Sequence, residues 1–416
     1  MRNAADPDLL GVTRGKSLRT LDMLEMRSDT EGSVYMELDD FEALVSRMER
    51  VARDRPESYG RRVLWLASLG YAYLLFLTLV LTGLTVAAGF SIHRIGYLGA
   101  KLTIVVGVLW LTVARSLWVR SAPPRGVSVT RANAPQLFRL LDALRVRLKS
   151  AAIHEVLITP EFNAGIAQVP RLGIFGWHRN YLTLGLPLMK GLTVEQFKSV
   201  LAHETGHLSG GHARKGNWIY RLRIIWAQLE ANFGRHPRWG SGIIRAFFRW
   251  YIPYFNAVSF PLARANEYQA DAAAVLVTSK QRTSQALTGI HVIGSYLQQR
   301  YWPAALAAIK EAPQAAAPFR GFIAQAVREA PELELKAWLA AALAQSTSHQ
   351  DTHPSLTDRL KAIGAPAEFS PPALGESADR LLGAALMGVE TMFDAAWSKA
   401  VVASEPQAYF PKAPVR

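Results

Sequence analysis

The chain of 416 residues contains no cysteine. That excludes disulfides and thiolate metal ligands, so any bound metal must be held by histidine or carboxylate side chains. It also leaves the redox compartment open. Acidic residues are scarce, with 33 Asp and Glu against 47 Lys and Arg, a formal charge of +14. Such an excess suits a nucleic acid or an anionic membrane surface, and composition alone does not choose between them. The chain does not open with a basic stretch running into a short apolar run, so the polar segment 1–62 is expected to be retained rather than cleaved as a signal. No fixed-period repeat is visible. Half of the residues are apolar, enough for a sizeable core.

Charge itself is missing from Val63 to His93, a run longer than the roughly 20 residues that a bilayer core requires. This is read as a transmembrane helix, about 63–92. A second apolar segment, about 96–119, is interrupted only by Lys101 and Arg115 near its ends, where long basic side chains can snorkel to the interface. A buried soluble helix or a re-entrant segment stays open for it. Two spans form a hairpin over 63–120. Arg53, Arg55, Arg61, Arg62, Arg115, Arg120 and Arg125 outweigh Arg94 in the turn, which places both ends in the cytoplasm. If only the first segment spans, the downstream domain lies on the other side.

Before the hairpin, Phe41, Leu44, Val45, Met48 and Val51 recur at helical intervals within 39–55 and predict a short amphipathic helix. After it, Pro123 and Pro124 mark a linker into a mixed domain, 126–364, in which helices predominate. A helix is expected within 130–150, and short alternating strands in "HEVLITPEFNAGIAQV" and "RNYLTLGL". The Ala-rich stretch 303–345 reads as packed helices, and 365–416 as a helical extension.

The chemistry lies in "GLTVEQFKSVLAHETGHLSGGH". Thr193 and Gln196 have the spacing of a capping box, which starts a helix near 194, and Gly210 with Gly211 are expected to end it. At 3.6 residues per turn, His203 and His207 point the same way and can reach one ion, with Glu204 beside it. His212 is off that face and is read as non-ligating. His154, His178, His236, His291 and His349 lack motif partners. "PLARANEYQADAAAVL" repeats the four-residue spacing with Glu267 and Asp271. A hydrolytic zinc site commonly takes two histidines and a glutamate, so Glu267 is a candidate third ligand and Asp271 a group that orients a ligand histidine. The competing reading is a solvated acidic face with Arg264 paired to Glu267.

These segments, with "FNAGIA" upstream and "HPSLTDR" downstream, resemble the motifs of the HtpX and CAAX-prenyl-endopeptidase group of membrane-associated gluzincin metallopeptidases, over about 130–364. The resemblance implies a mainly α protein with a small β-sheet, an α+β zincin-like domain following the transmembrane hairpin. It implies Zn2+ bound by His203, His207 and Glu267, with Glu204 as the catalytic carboxylate and Asp271 in support. It further implies that Asn163 and Ala164 begin an edge strand on which a substrate chain is laid, although Gly165 and Ile166 stand where the group often has Phe-Ala. His353 matches the group's His-Pro segment: it either stabilises the transition state or caps and packs locally. Arg359 either pairs with a site carboxylate or is a surface charge.

The basic and aromatic stretch between the two halves of the site, 216–260, suits single-stranded nucleic acid or a helix lying in the bilayer interface. Beside a membrane anchor the second is preferred, and nucleic acid is not expected as a partner. The expected function is a membrane-anchored zinc endopeptidase acting on protein or peptide substrates, in membrane-protein quality control as the resemblance implies, with a bacterial inner membrane as its setting. The alternative is a membrane-anchored scaffold with a structural or degenerate metal site.

Overall fold

The computed structural model describes residues 36–117, 122–172, 177–209, 214–235, 242–311, 317–321, 327–349 and 351–402. Expectations placed on 1–35, Arg120, Gly210, Gly211, His212, His236 and 403–416 lie outside these. Among the described residues the protein is mostly helical, with one small mixed sheet.

Helix α1 (Leu38–Asp54) buries Phe41, Val45 and Met48 on one face, and carries Asp39 and Asp40 in its first turn and Arg53 in its last, as the helix dipole favours. Each of those three side chains contributes roughly 1.5–3 kcal/mol on burial. Helix α2 (Pro56–Ile95) runs for 40 residues. It starts seven residues before the uncharged run, because Arg61 and Arg62 exclude hydrocarbon without stopping a helix. Gly96, at φ 52°, makes the turn into α3 (Tyr97–Leu117). A Cβ on Gly99 would meet the Ile92 backbone at 2.8 Å, so glycine lets the two helices close up. Trp110 Nε1 donates to Thr82 Oγ1 at 2.9 Å and fixes their register. Both helices are long and apolar enough to cross a membrane, and large apolar side chains such as Phe76, Leu79, Phe90 and Ile104 face outward.

The basic and aromatic stretch forms two helices, α7 (Arg214–Arg235) and α8 (Gly242–Val277). α8 runs alongside α2. Tyr73 stacks on Phe247 at 3.9 Å, Tyr251 donates to the Leu66 carbonyl at 2.8 Å, and Tyr59 reaches Val258 at 3.0 Å. At the seam a Cβ on Gly70 would meet Trp226 and the Tyr251 hydroxyl at 2.9 Å. Pro261 lies inside α8 and interrupts its hydrogen-bond ladder. The Tyr59 hydroxyl fills that gap, donating to Val258 O and accepting from Leu262 N at 3.2 Å.

Between α3 and α7 lie the sheet and three helices. The sheet runs β1 (Val127–Val129), β2 (Glu155–Thr159), β4 (His178–Gly185) and β3 (Ala164–Pro170) in spatial order. β1 is antiparallel to β2, β2 parallel to β4, and β4 antiparallel to β3 with Ala164 opposite Leu184. β1 is three residues long, too short for an alternating signal, and was not expected. α4 (Pro135–Leu148) and α6 (Val194–Gly206) pack beside the sheet, and α5 (Leu186–Gly191) leads from β4 into α6. The capping box of α6 is present in full: Thr193 Oγ1 accepts from Gln196 N, and Gln196 Oε1 accepts from Thr193 N.

After α8 come α9 (Lys280–Tyr296), a π-helical turn (Leu297–Tyr301), α10 (Trp302–Glu311), α11 (Glu332–Ala344), α12 (Leu356–Ile363), a 3-10 segment (Ala378–Ala385) and α13 (Leu386–Val402). Within the Ala-rich stretch, 303–311, 327–329 and 332–344 are helical, whereas 318–320 form a turn. The last two elements share the main core through Leu382, Phe393 and Trp397. Buried Lys190 ties them to α5 through Asp379 at 3.1 Å and Glu390 at 2.5 Å.

Candidate metal centre

Two helices bring the site together. α6 carries His203 and Glu204, and His207 follows in the turn after Gly206, so the helix ends earlier than the Gly210–Gly211 pair suggested. α8 carries Glu267 and Asp271 across from them. Their close approach depends on small residues: a Cβ on Gly206 would meet Ala273 Cβ at 3.2 Å and Ala270 Cα at 3.3 Å. Sequence reasoning passed over Gly206, although a glycine inside the His-Glu motif and the "ADAAA" run together signal two helices in close contact.

His203 Nε2 lies 3.3 Å from His207 Nε2 and 3.5 Å from Glu267 Oε2, and His207 Nε2 lies 3.7 Å from Glu267 Oε1. One ligand atom from each of the three falls within 4.8 Å of the others, a group that could hold a metal ion. Glu267 is 3 % exposed, and its Oε2 is buried without a hydrogen-bond partner. A buried carboxylate oxygen left without a hydrogen bond is costly, and a cation bound there removes that cost. His, His and carboxylate is also the donor set that suits zinc. The residues fit the group. The competing reading, a solvated acidic face, does not hold: Glu267 and Asp271 are buried, and Arg264 pairs with Glu49 at 2.6 Å instead.

Behind this triad, Asp271 Oδ1 lies 3.0 Å from His203 Nδ1. That contact assigns the proton to Nδ1 and turns the Nε2 lone pair toward the ligand cluster. Asp271 is itself gripped by the Arg359 fork, Nη2 to Oδ1 at 2.6 Å and Nε to Oδ2 at 2.9 Å. Arg359 thus pairs with a site carboxylate and is not a surface charge. Burial would raise the Asp271 carboxyl, but Arg359 overrides it and holds it at about 2. Burial would likewise lower the His203 imidazole, yet the neighbouring Asp271 and Glu267 carboxylates lift it to about 9. Burial dominates at His207, which drops to about 4, and pushes the Glu204 carboxyl upward. Glu267 has the opposite balance, because the adjacent histidines hold it well below the carboxylate range against burial.

His353 comes from the loop before α12. Its Nε2 lies 3.5 Å from Glu267 Oε2, while Asp351 Oδ1 holds its Nδ1 at 2.9 Å. It faces the site with more than half of its side chain exposed, and is not a packing histidine. The loop is clamped to the rest of the protein: Arg264 Nη2 donates to Ser348 O at 2.5 Å, and His349 Nε2 lies 3.4 Å from Glu49 on α1. His349, expected to be an ordinary surface or packing residue, is part of this clamp. Asn163 and Ala164 lie where the edge strand was expected, since β3 begins at Ala164, occupies one edge of the sheet and runs next to α6. The Asn163 carbonyl accepts from Gly185 N at 2.7 Å.

These helices bring together donors that could hold a metal ion, and one comparison bears on the family. Residues 172–367 match the family model described as peptidase family M48, a match that supports placing the chain in the M48 metallopeptidase family. The matched stretch holds every residue of the triad together with Asp271, His353 and Arg359, and omits α1, the hairpin and β3. Neither the curated proteins nor the solved structures give a match.

Proposed function

We propose that the protein is a membrane-anchored zinc endopeptidase of the HtpX and CAAX-prenyl-endopeptidase type, with its catalytic domain in the cytoplasm. The observation that carries this reading is the convergence of His203, His207 and the Glu267 oxygen that has no hydrogen bond, with Asp271 and Arg359 fixing His203 from behind. His203, His207 and Glu267 hold the zinc, which when bound lowers the pKa of a coordinated water and polarises the scissile carbonyl. Glu204 takes the proton from the attacking water and passes it to the leaving amine. Burial raises the Glu204 carboxyl, which makes it a stronger base for the first transfer. His353, exposed at the mouth and oriented by Asp351, donates to the oxyanion that develops on the substrate. An extended substrate pairs with the free edge of β3 from Asn163 and Ala164 onward. Membrane anchoring rests on α2 and α3, and the orientation on the excess of arginine at the ends of the hairpin.

The test is zinc content together with β-casein cleavage, on detergent-purified wild type and Glu204→Gln. One zinc per chain in both, with cleavage only in wild type, is expected. Equal cleavage by the variant removes Glu204 from its role, and absence of zinc from both overturns the reading. One observation favours a second reading. His353 lies close enough to Glu267 to close the site as a fourth ligand, and a closed site is structural. His353→Ala separates the two: zinc is kept and activity lost in an enzyme, whereas zinc is lost from a structural site.

A further inference from the structure

We infer that the hydrolytic site stands up to about 30 Å from the hydrocarbon boundary of the bilayer, on a stalk of packed helices, and that its membrane-bound substrates are those whose cleavable segment reaches that height as an unfolded tail. The inference rests on the membrane-anchored peptidase reading above and adds its substrate class.

The height is set by register. α2 has 40 residues, about twice what a bilayer core takes. α3 covers only its second half: Trp110 meets Thr82, so in an antiparallel pair Arg115 comes level with about Leu77. On the other side of α2, Tyr73 stacks on Phe247, which brings exposed Arg245 level with about Leu75. Two arginines from separate helices thus reach the same level. An arginine facing lipid is tolerated at the headgroups and expensive within the hydrocarbon, so this level marks the bilayer boundary. Below it the stalk begins. Val63, Ala67, Gly70 and Leu74 of α2 are buried against α7 and α8 rather than in lipid. Trp250, stacked on Tyr254, belongs to the interfacial zone just outside the boundary, and exposed Trp65 lies farther along the stalk.

From Phe247 at that boundary, α8 continues to the metal ligand Glu267. Those 20 residues include Pro253 and Pro261, so they rise at most about 30 Å at 1.5 Å each. The rise is directed away from the bilayer, because the contacts Tyr73–Phe247, Leu66–Tyr251 and Tyr59–Val258 keep α8 alongside α2. Tyr59 holds the helix together where Pro261 interrupts it. An extended chain covers about 3.3 Å per residue, so a tail needs about nine residues to reach a site about 30 Å from the hydrocarbon boundary. A flexible tail reaches it often only at a length of about 25 residues.

Two measurements test this on the full chain in liposomes. In the first, single-span substrates carry Gly/Ser tails of 4, 8, 16 and 28 residues ahead of one β-casein segment. Cleavage should be absent at 4, at least tenfold below the maximum at 8, and maximal at 28. Equal cleavage at 4 and 28 overturns the proposal. In the second, the lack of native cysteine allows a donor dye at Lys361→Cys, on α12 beside Arg359, or at Trp65→Cys, with acceptor-labelled headgroups. Stronger transfer from position 65 than from 361 is expected, and equal transfer overturns the proposed height. If soluble β-casein and the longest tail both stay intact, the peptidase reading fails, while the energy transfer still decides the height.

Discussion

The two ends of α8 are built on opposite principles. Its first half carries bulky rings, Phe247, Phe248, Tyr251 and Phe255, which interdigitate with α2 and α7. Its second half carries Ala270, Ala273 and Ala274 beside Glu267 and Asp271, and approaches α6 closely enough that one methyl group on Gly206 would crowd it. Large side chains hold helices apart and fill the gap, which suits a stalk. Small ones let backbones approach until side chains from two helices share one ion. The polar end should therefore answer to metal and proton, and the aromatic end to packing alone.

The largest test of this contrast is pH. Near neutrality the metal-free site keeps one proton that a metal must displace, on His203, since His207 titrates at about 4 and Glu267 lower still. Because His203 is lifted to about 9, zinc affinity should fall about tenfold for each unit of pH lowered between about 9 and 5, with release of about one proton on binding. Calorimetry in buffers of different ionisation enthalpy measures that release. A flat affinity over this range would mean that His203 is already unprotonated.

Asp271→Asn follows in size. It leaves the Arg359 guanidinium buried without its counter-charge, which costs about 3–5 kcal/mol. It also loosens the orientation of His203, for which about 10–100-fold in zinc affinity is expected. The pair adds a pH term of known sign: the folded carboxyl titrates at about 2, below its ordinary value near 3.8. Its contribution is thus complete above about pH 4 and disappears as the pH falls through about 2. Denaturant unfolding of zinc-free protein at pH 7 and at pH 3 checks the first and second statements together.

A matched pair of glycine substitutions sharpens the contrast further. Gly70→Ala pushes on Trp226 and on the Tyr251 hydroxyl, which bonds to Leu66, and should cost about 1–3 kcal/mol with zinc affinity unchanged. Gly206→Ala displaces α6 from α8 by a few tenths of an ångström. It should cost less stability, about 1 kcal/mol, yet lower zinc affinity and casein cleavage about tenfold. Unfolding midpoints and zinc titrations of both variants give the answer, and equal effects on zinc would erase the distinction between the ends.

The same contrast explains how much the sequence made legible. The His203, Glu204 and His207 cluster, and the capping box that starts their helix, lie within about four turns of a single helix, so local spacing reveals them. Glu267 and Asp271 are also spaced locally, but their meeting with α6 depends on tertiary packing, and the resemblance supplied what periodicity left open. The height of the stalk was not legible. An uncharged run from Val63 to His93 looks uniform, and only the pairing of α3 and α8 along it separates lipid-facing from protein-facing turns. The clamp on the His353 loop was hidden for the same reason, since Glu49 and His349 lie 300 residues apart in sequence.

That clamp gives the smallest effect. Glu49 ties α1, which lies outside the matched family stretch, to Arg264 on α8 and His349 in the loop. Both carboxylate contacts are partly exposed, so Glu49→Gln should cost under about 1 kcal/mol and leave zinc bound. Its consequence is positional. A loop that wanders by about 1 Å moves the His353 imidazole off the developing oxyanion, and a loss of about 3–10-fold in kcat with KM unchanged is expected. Adding Glu49→Gln to a His353→Ala background should then change nothing, because the residue acts through His353. A further loss in the double variant would show that α1 supports the site by another route, and unchanged kcat in the single variant would show that Arg264 and Asp351 hold the loop without it.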